Sequence, residues 1–268
     1  MTLDELDADT PESTERWNRI ARYTWIYTVS LFALSASLMG DDLALAGTGT
    51  LIACGEGHYI LTAAHVWHKV LKGADKVGIT LRETHDHVCL FEREIIVVSG
   101  PARTNSWTEW GPDLIFMRIP DVHVAAIEAF RVFYRLDAKE KPLPAEEYTE
   151  AHLLLGTPGA LGIYRQNHAS VQLIPFWVPP PVHHAHDGID YLDVHVRLPP
   201  PNTVESFGGV SGGGLWRVKV YSDPATGQID SAAILEGVAF YEFNVREGEG
   251  TIRCHGRKSI DTAALSLA

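Results

Sequence analysis

The chain has 268 residues, 46% of them hydrophobic and 21% charged, the proportions of an ordinary globular domain, which disfavour disordered, collagen-like and multi-span membrane classes. That length suits one large all-β domain burying its own core. A formal net charge of −12 argues against a broad basic surface that would neutralise phosphates, so neither nucleic acid nor membrane is an expected partner.

The first fifteen residues hold six acids (Asp4, Glu5, Asp7, Asp9, Glu12, Glu15) and no base, the wrong charge for a secretory leader. Thr10-Pro11 followed by Glu12 and Glu15 supplies a cap, a proline at the first helical position and acids in the first turn. A helix over Pro11 to Tyr27 is predicted, with Trp17, Ile20, Tyr23 and Tyr27 at helical spacing. The uncharged run Thr24 to Gly40 follows Arg16, Arg19 and Arg22 and superficially resembles an anchor. Thr24, Thr28, Ser30, Ser35 and Ser37 make it too polar for a membrane span, so it is expected to be a helix end plus a strand.

Strands dominate from there on. Val29 to Ser35, Ala44 to Ala53, Tyr59 to Thr62, Lys76 to Leu81, Val88 to Val98 and Leu114 to Ile119 are apolar or β-branched runs divided by Gly, Asp, Asn and Pro. Val122 to Leu136 fits a helical face and a strand about equally and stands between two β-rich halves. Further strands are predicted at His152 to Leu155, Gly162 to Tyr164, Ala169 to Phe176, Tyr191 to Arg197, Gly214 to Tyr221 and Ser231 to Phe243. The proline-rich segments Val178 to Val182 and Leu198 to Pro201 are expected to be loops, because proline cannot donate to a sheet ladder. The three cysteines, Cys54, Cys89 and Cys254, form no disulfide framework, and a reducing, cytoplasmic setting is expected.

Three motifs carry chemistry, in the order histidine, aspartate, serine. Leu61-Thr62-Ala63-Ala64-His65 puts a histidine directly after an apolar strand, downstream of Gly47-Thr48-Gly49-Thr50-Leu51-Ile52. Gly111-Pro112-Asp113-Leu114-Ile115-Phe116 opens an apolar strand on an aspartate. Phe207-Gly208-Gly209-Val210-Ser211-Gly212-Gly213-Gly214 sets a serine among glycines. Each alone has a commoner reading, as a packed histidine, a solvated loop acid or a plain turn. Their joint occurrence is what points to a site.

Together the motifs resemble the "TAAH", "DLAL" and "GDSGG" segments of the trypsin-like serine peptidases, with Val210 in place of the usual aspartate. The likeness spans roughly Val29 to Phe243 and is greatest to intracellular bacterial members. It implies an all-β fold of two six-stranded barrels of chymotrypsin type with an added N-terminal helix. The expected division is an acidic tail and helix over 1–28 and a peptidase domain over 29–268, with halves at about 29–135 and 136–268.

The resemblance implies Ser211 as nucleophile, His65 as general base and Asp113 as its orienting carboxylate, with protein or peptide as substrate and no cofactor or metal. A serine hydroxyl is a poor nucleophile unless an imidazole takes its proton, and that imidazole needs a buried carboxylate to fix its tautomer. Gly209 and Ser211 would supply oxyanion-binding amides. Glu205, six residues before the nucleophile, could favour a basic substrate side chain. Gly237, Ala239 and Phe240 resemble the strand that pairs with substrate, although Phe240, Tyr241 and Glu242 are bulkier than usual there. No Ile-Val-Gly-Gly start exists, so activation by a freed N-terminus is not implied, and no further module is expected after Ser211. Val66 stands where secreted relatives carry a disulfide cysteine.

Three other readings stay open. Gly209-Val210-Ser211-Gly212-Gly213 also satisfies an α/β-hydrolase nucleophile elbow, which Asp230 and His255 would complete, but that elbow needs a helix after the serine. The clusters His85-Asp86-His87 and His183-His184-Ala185-His186-Asp187 could ligate zinc, although neither has helical i, i+4 pairing. Finally, the fold could act as a binding module, or await an activating protein partner that orders its loops.

Overall fold

The computed structural model describes residues 11–37, 40–81, 87–99, 109–139, 142–143, 148–165, 168–198, 203–223, 225 and 229–267. Helix α1 spans Pro11–Trp25 and is followed by strands β1 (Thr28–Ser37), β2 (Gly40–Cys54) and β3 (Gly57–Thr62). A helical turn α2 (Ala64–Val66) runs on as a π turn through Leu71. Then come β4 (Lys76–Thr80), β5 (His87–Phe91), β6 (Ile96–Ser99), β7 (Ile115–Arg118), α3 (Asp121–Glu128) and β8 (Tyr134–Arg135). The second half holds β9 (Thr149–Gly156), β10 (Ile163–Arg165), β11 (His168–Ser170), β12 (Ile174–Val178), β13 (Val182–His186), β14 (Ile189–Arg197), β15 (Gly214–Ser222), β16 (Ile229–Arg246), β17 (Glu249–Gly256) and α4 (Arg257–Ala264).

These strands form two mostly antiparallel sheets and a small β10–β11 hairpin. The first runs β5-β4-β1-β2-β3-β7-β6, with β8 lying parallel to β2, and the second runs β12-β9-β15-β16-β17-β14-β13. Among the described residues the first sheet ends at Arg135 and the second begins at Thr149.

Val122 to Leu136 resolves into both of its alternatives. Val124 and Ile127 turn one face of α3 into the core, and the chain then extends into β8. Predicted strand Val88 to Val98 is broken by a 3-10 turn at Glu92–Glu94, and Ala169 to Phe176 by a loop ahead of Ile174. Of the expected loop Val178 to Val182 only Pro179 to Pro181 is loop: Val178 ends β12 and Val182 starts β13, both edge strands, where proline neighbours are tolerated, while 199–201 of the second expected loop lie outside the described residues.

Helix α1 lies against the second sheet. Its Ile20 and Ala21 are buried among Leu153, Trp216, Val218 and Leu235, and Trp17 packs on Trp177 with ring centres 4.4 Å apart. Burial of each large apolar side chain contributes about 1.5–3 kcal/mol, which holds a helix too short to persist alone. Among the described residues no helix is long and apolar enough to cross a membrane. The run from Thr24 to Gly40 is the end of α1 followed by β1, which pairs with β2 and β4.

Candidate active site

His65 sits where β3 leaves the first sheet. Ala63 and Ala64 are fully buried, and their small side chains let the α2 turn lie flat on the strands beneath. The imidazole edge stays reachable, at 23% exposure, while the Asp113 side chain is 3% exposed. His65 Nδ1 lies 2.6 Å from Asp113 Oδ2, and the His65 backbone N–H donates to Asp113 Oδ1 at 2.8 Å. Both carboxylate oxygens are thereby committed to one residue. A carboxylate accepts only, so the ring proton belongs on Nδ1.

Asp113 is held from behind. Its N–H donates to His255 Nε2 at 3.0 Å, and the peptide of Trp110 is fixed by Tyr191, whose hydroxyl donates to the Trp110 carbonyl at 2.8 Å. Arg253 of β17 donates to both oxygens of Asp193 at 2.7 Å, to the Glu109 carboxylate at 2.9 Å, and stacks 3.6 Å from the Trp110 ring centre. This places the aspartate loop against the second sheet, although its strand β7 belongs to the first.

The serine loop docks on β2. Thr48 is the hub: its N–H donates to Ser211 O at 2.8 Å, its hydroxyl donates to Gly209 O at 2.7 Å and accepts from Thr157 N–H at 3.0 Å, and its carbonyl accepts from Thr62 Oγ1 at 2.8 Å. Two glycines are required for so tight a dock. Gly212 has φ +93°, and a Cβ there would lie 1.8 Å from Thr48 O; Gly209 has φ +100°, and its Cβ would lie 2.5 Å from Thr157 O.

The Gly208 carbonyl accepts from Gly159 N–H at 2.7 Å. In a trans peptide the following N–H points the opposite way, so this bond turns the Gly209 amide away from Gly159. Neither the Gly209 nor the Ser211 amide donates to a protein acceptor among the described residues. An open cleft of about 390 Å³ is lined by Leu43, Ala44, Leu45, Gly159, Gly208 and Gly209. Ser211 itself is partly exposed, and its hydroxyl makes no hydrogen bond among the described residues.

No family model matches the chain, and no curated protein is similar enough to count as a relative.

The substrate-side expectations need correction. Glu205 is exposed at a bend, so it is not the floor of a pocket. The engaged carboxylate of this region is Glu242, which accepts from the Ser206 hydroxyl at 2.6 Å and from the Phe207 N–H, while Ser206 Oγ accepts from Gly208 N–H at 2.9 Å. Gly237 is paired on both edges, to Leu215 of β15 and Gly256 of β17. Ala239 donates to Gly213 O and accepts from Gly212 N–H. Neither has backbone to offer a substrate. Pairing between β15 and β16 ends at Gly214↔Val238, so the open edge of β16 begins at Phe240, whose buried ring stacks 4.2 Å from that of His255.

The elbow reading fails on this geometry. The chain after Ser211 leads into strand β15, His255 faces Asp113, and Asp230 pairs with the Tyr221 hydroxyl at 3.4 Å. Of the histidine clusters, His85 and Asp86 lie outside the described residues, as does the side chain of His87. His183 and His186 are exposed on β13, and His184 Nε2 lies 3.1 Å from Asp193 Oδ2. Among the described residues no three His, Cys, Asp or Glu side chains are placed to hold a metal.

Sequence reasoning missed Thr48 and Glu242 as site residues and placed His255 only in the elbow alternative, not beside Asp113. Thr48 lay inside the quoted Gly-Thr-Gly-Thr segment, and its hydroxyl between two glycines was a usable signal. His255 had none beyond its type.

Proposed function

We propose that this chain is a serine endopeptidase with the two-barrel architecture of the chymotrypsin type, acting through Ser211, His65 and Asp113. One observation carries the reading: a nearly fully buried carboxylate spends both oxygens on His65, at Nδ1 and at the backbone N–H. A buried carboxylate is costly unless its hydrogen bonds repay it, and here they fix one tautomer of a partly exposed imidazole.

In the proposed reaction Ser211 Oγ attacks the substrate carbonyl carbon while His65 Nε2 takes the hydroxyl proton. The carbonyl π electrons move to oxygen, and the Gly209 and Ser211 amides stabilise that oxyanion. The imidazolium, balanced by Asp113, returns its proton to the leaving amine as the C–N bond breaks. Water then repeats the sequence on the acyl-serine, releasing the acid. The cleft at Leu43 to Leu45 is lined in part by Gly209, and the open edge of β16 from Phe240 onward offers extended backbone to a peptide.

A fluorophosphonate probe tests this directly: the native protein should be labelled and Ser211→Ala should not. Equal labelling of both, or of neither, removes Ser211 as an activated nucleophile. Labelling without any added partner would exclude the alternative of a site held inactive until a protein partner orders it.

A further inference from the structure

His255 lies on β17 of the second sheet, is 1% exposed, and accepts the Asp113 N–H through Nε2 at 3.0 Å. An imidazole nitrogen that accepts an amide hydrogen bond cannot carry a proton, so the ring proton is on Nδ1. Nδ1 is itself buried without a hydrogen-bond partner among the described residues. A buried donor left unsatisfied is uncommon and calls for an explanation. The ring cannot swing to relieve it, because Phe240 stacks on it at 4.2 Å and Tyr191 packs beside it at 5.3 Å.

We infer that His255 is a positioning residue: as a neutral acceptor on the second sheet it fixes the Asp113 peptide, and through it the aim of the carboxylate at His65. This rests on the peptidase reading above for its effect on reactivity, but not for its effect on the Asp113–His65 hydrogen bond. Asp113 precedes β7 of the first sheet, whereas Ser211 leads into β15 of the second. The imidazole–amide bond therefore ties the loop that orients the base to the sheet that carries the nucleophile. Arg253, two residues earlier on the same face of β17, grips Glu109 and Trp110 of that loop, so β17 holds it at both ends.

Acceptor capacity and ring shape can be separated by mutation. His255→Phe keeps an aromatic ring against Phe240 and removes the acceptor; His255→Gln restores an acceptor oxygen without the ring. Two readouts are taken on protein confirmed as folded by near-ultraviolet circular dichroism: the rate of fluorophosphonate labelling, and the downfield proton resonance of His65 Nδ1–H bonded to Asp113. The expected result is a labelling rate lowered at least about tenfold in His255→Phe and returned to within about threefold of native in His255→Gln. The downfield resonance should be lost or shifted upfield in the first and kept in the second. Native labelling and an unmoved resonance in His255→Phe would overturn the assignment, as would equal slowing in both variants. If the native protein takes no probe, the peptidase reading falls, and the resonance alone decides the role of His255.

Discussion

Asp113 and His65 are joined twice, by Oδ2 to the ring Nδ1 at 2.6 Å and by Oδ1 to the backbone N–H at 2.8 Å, so the carboxylate fixes both the position and the tautomer of the imidazole. The second bond depends on backbone, which no change of the histidine side chain removes. Asp113→Asn should therefore keep the fold. Its amide can meet one His65 donor with oxygen but presents N–H to the other, favouring the wrong tautomer. A fall of about 10⁴-fold in labelling or turnover rate is expected, with an unchanged far-ultraviolet spectrum.

Gly209→Ala tests the oxyanion role proposed for the serine loop. The left-handed φ of +100° and the 2.5 Å approach to Thr157 O leave no room for a methyl group. The peptide must turn, carrying the Gly209 amide with it. Losing one oxyanion donor costs roughly 10²–10³-fold in kcat, and steady-state rates on any cleaved peptide would register it.

Thr48→Val removes the hydroxyl that donates to Gly209 O and accepts from Thr157 N–H while nearly preserving shape. The buried Thr157 N–H and the partly buried Gly209 carbonyl each lose a partner, the first at about 1–3 kcal/mol before relaxation. Thermal unfolding should fall by several degrees in a chain of this size, with a loss of reactivity exceeding the loss of folded protein.

Burial drives the pKa of His255 down to about 4 from its ordinary 6.5, against the opposing pull of Asp113 and Asp190. Tyr191 faces the same ring, and its own pKa is raised to about 12 by burial. Because the folded value is depressed, the unfolded chain binds the proton first as pH falls. Stability is thus unaffected above about pH 6.5, declines between about 6.5 and 4, and levels off below, for this group alone. The linkage amounts to about 2 kcal/mol at pH 5. Urea unfolding at pH 7 and pH 5 should show that decline in the native protein and its loss in His255→Gln; equal slopes in the two would contradict it.

Glu242→Gln leaves one acceptor oxygen where the carboxylate serves both Ser206 and Phe207. One of the two bonds to the loop is lost. A fall of about tenfold in labelling rate is expected, with little change in melting temperature. Glu205→Gln, an exposed neighbour, should change neither.

The strands were legible because alternating and β-branched runs between Gly, Pro and Asp specify short strands locally. His65 and Ser211 stood out because each sits in a short motif whose small neighbours, Ala63 and Ala64 or Gly209 and Gly212, are dictated by close packing, and Asp113 because it opens an apolar strand. Thr48, Glu242 and His255 act across the chain, at separations of 161, 36 and 142 residues from the partners they hold. No local pattern encodes such pairings. Glu205 was singled out by counting back from the serine, whereas Glu242 reaches the same loop from β16. Strand β17 and helix α4 went unpredicted: Thr251-Ile252-Arg253-Cys254-His255 mixes charge and apolar groups because both faces of the strand bury partners, including the ion-paired Arg253.

The most direct measurement is mass-spectrometric localisation of a fluorophosphonate adduct on the native protein, compared with His65→Ala and Ser211→Ala. The account predicts one adduct, on the peptide containing Ser211, absent from Ser211→Ala and formed at least a thousandfold more slowly in His65→Ala. An adduct on another residue, or labelling of Ser211 at an undiminished rate without His65, would contradict the assigned triad.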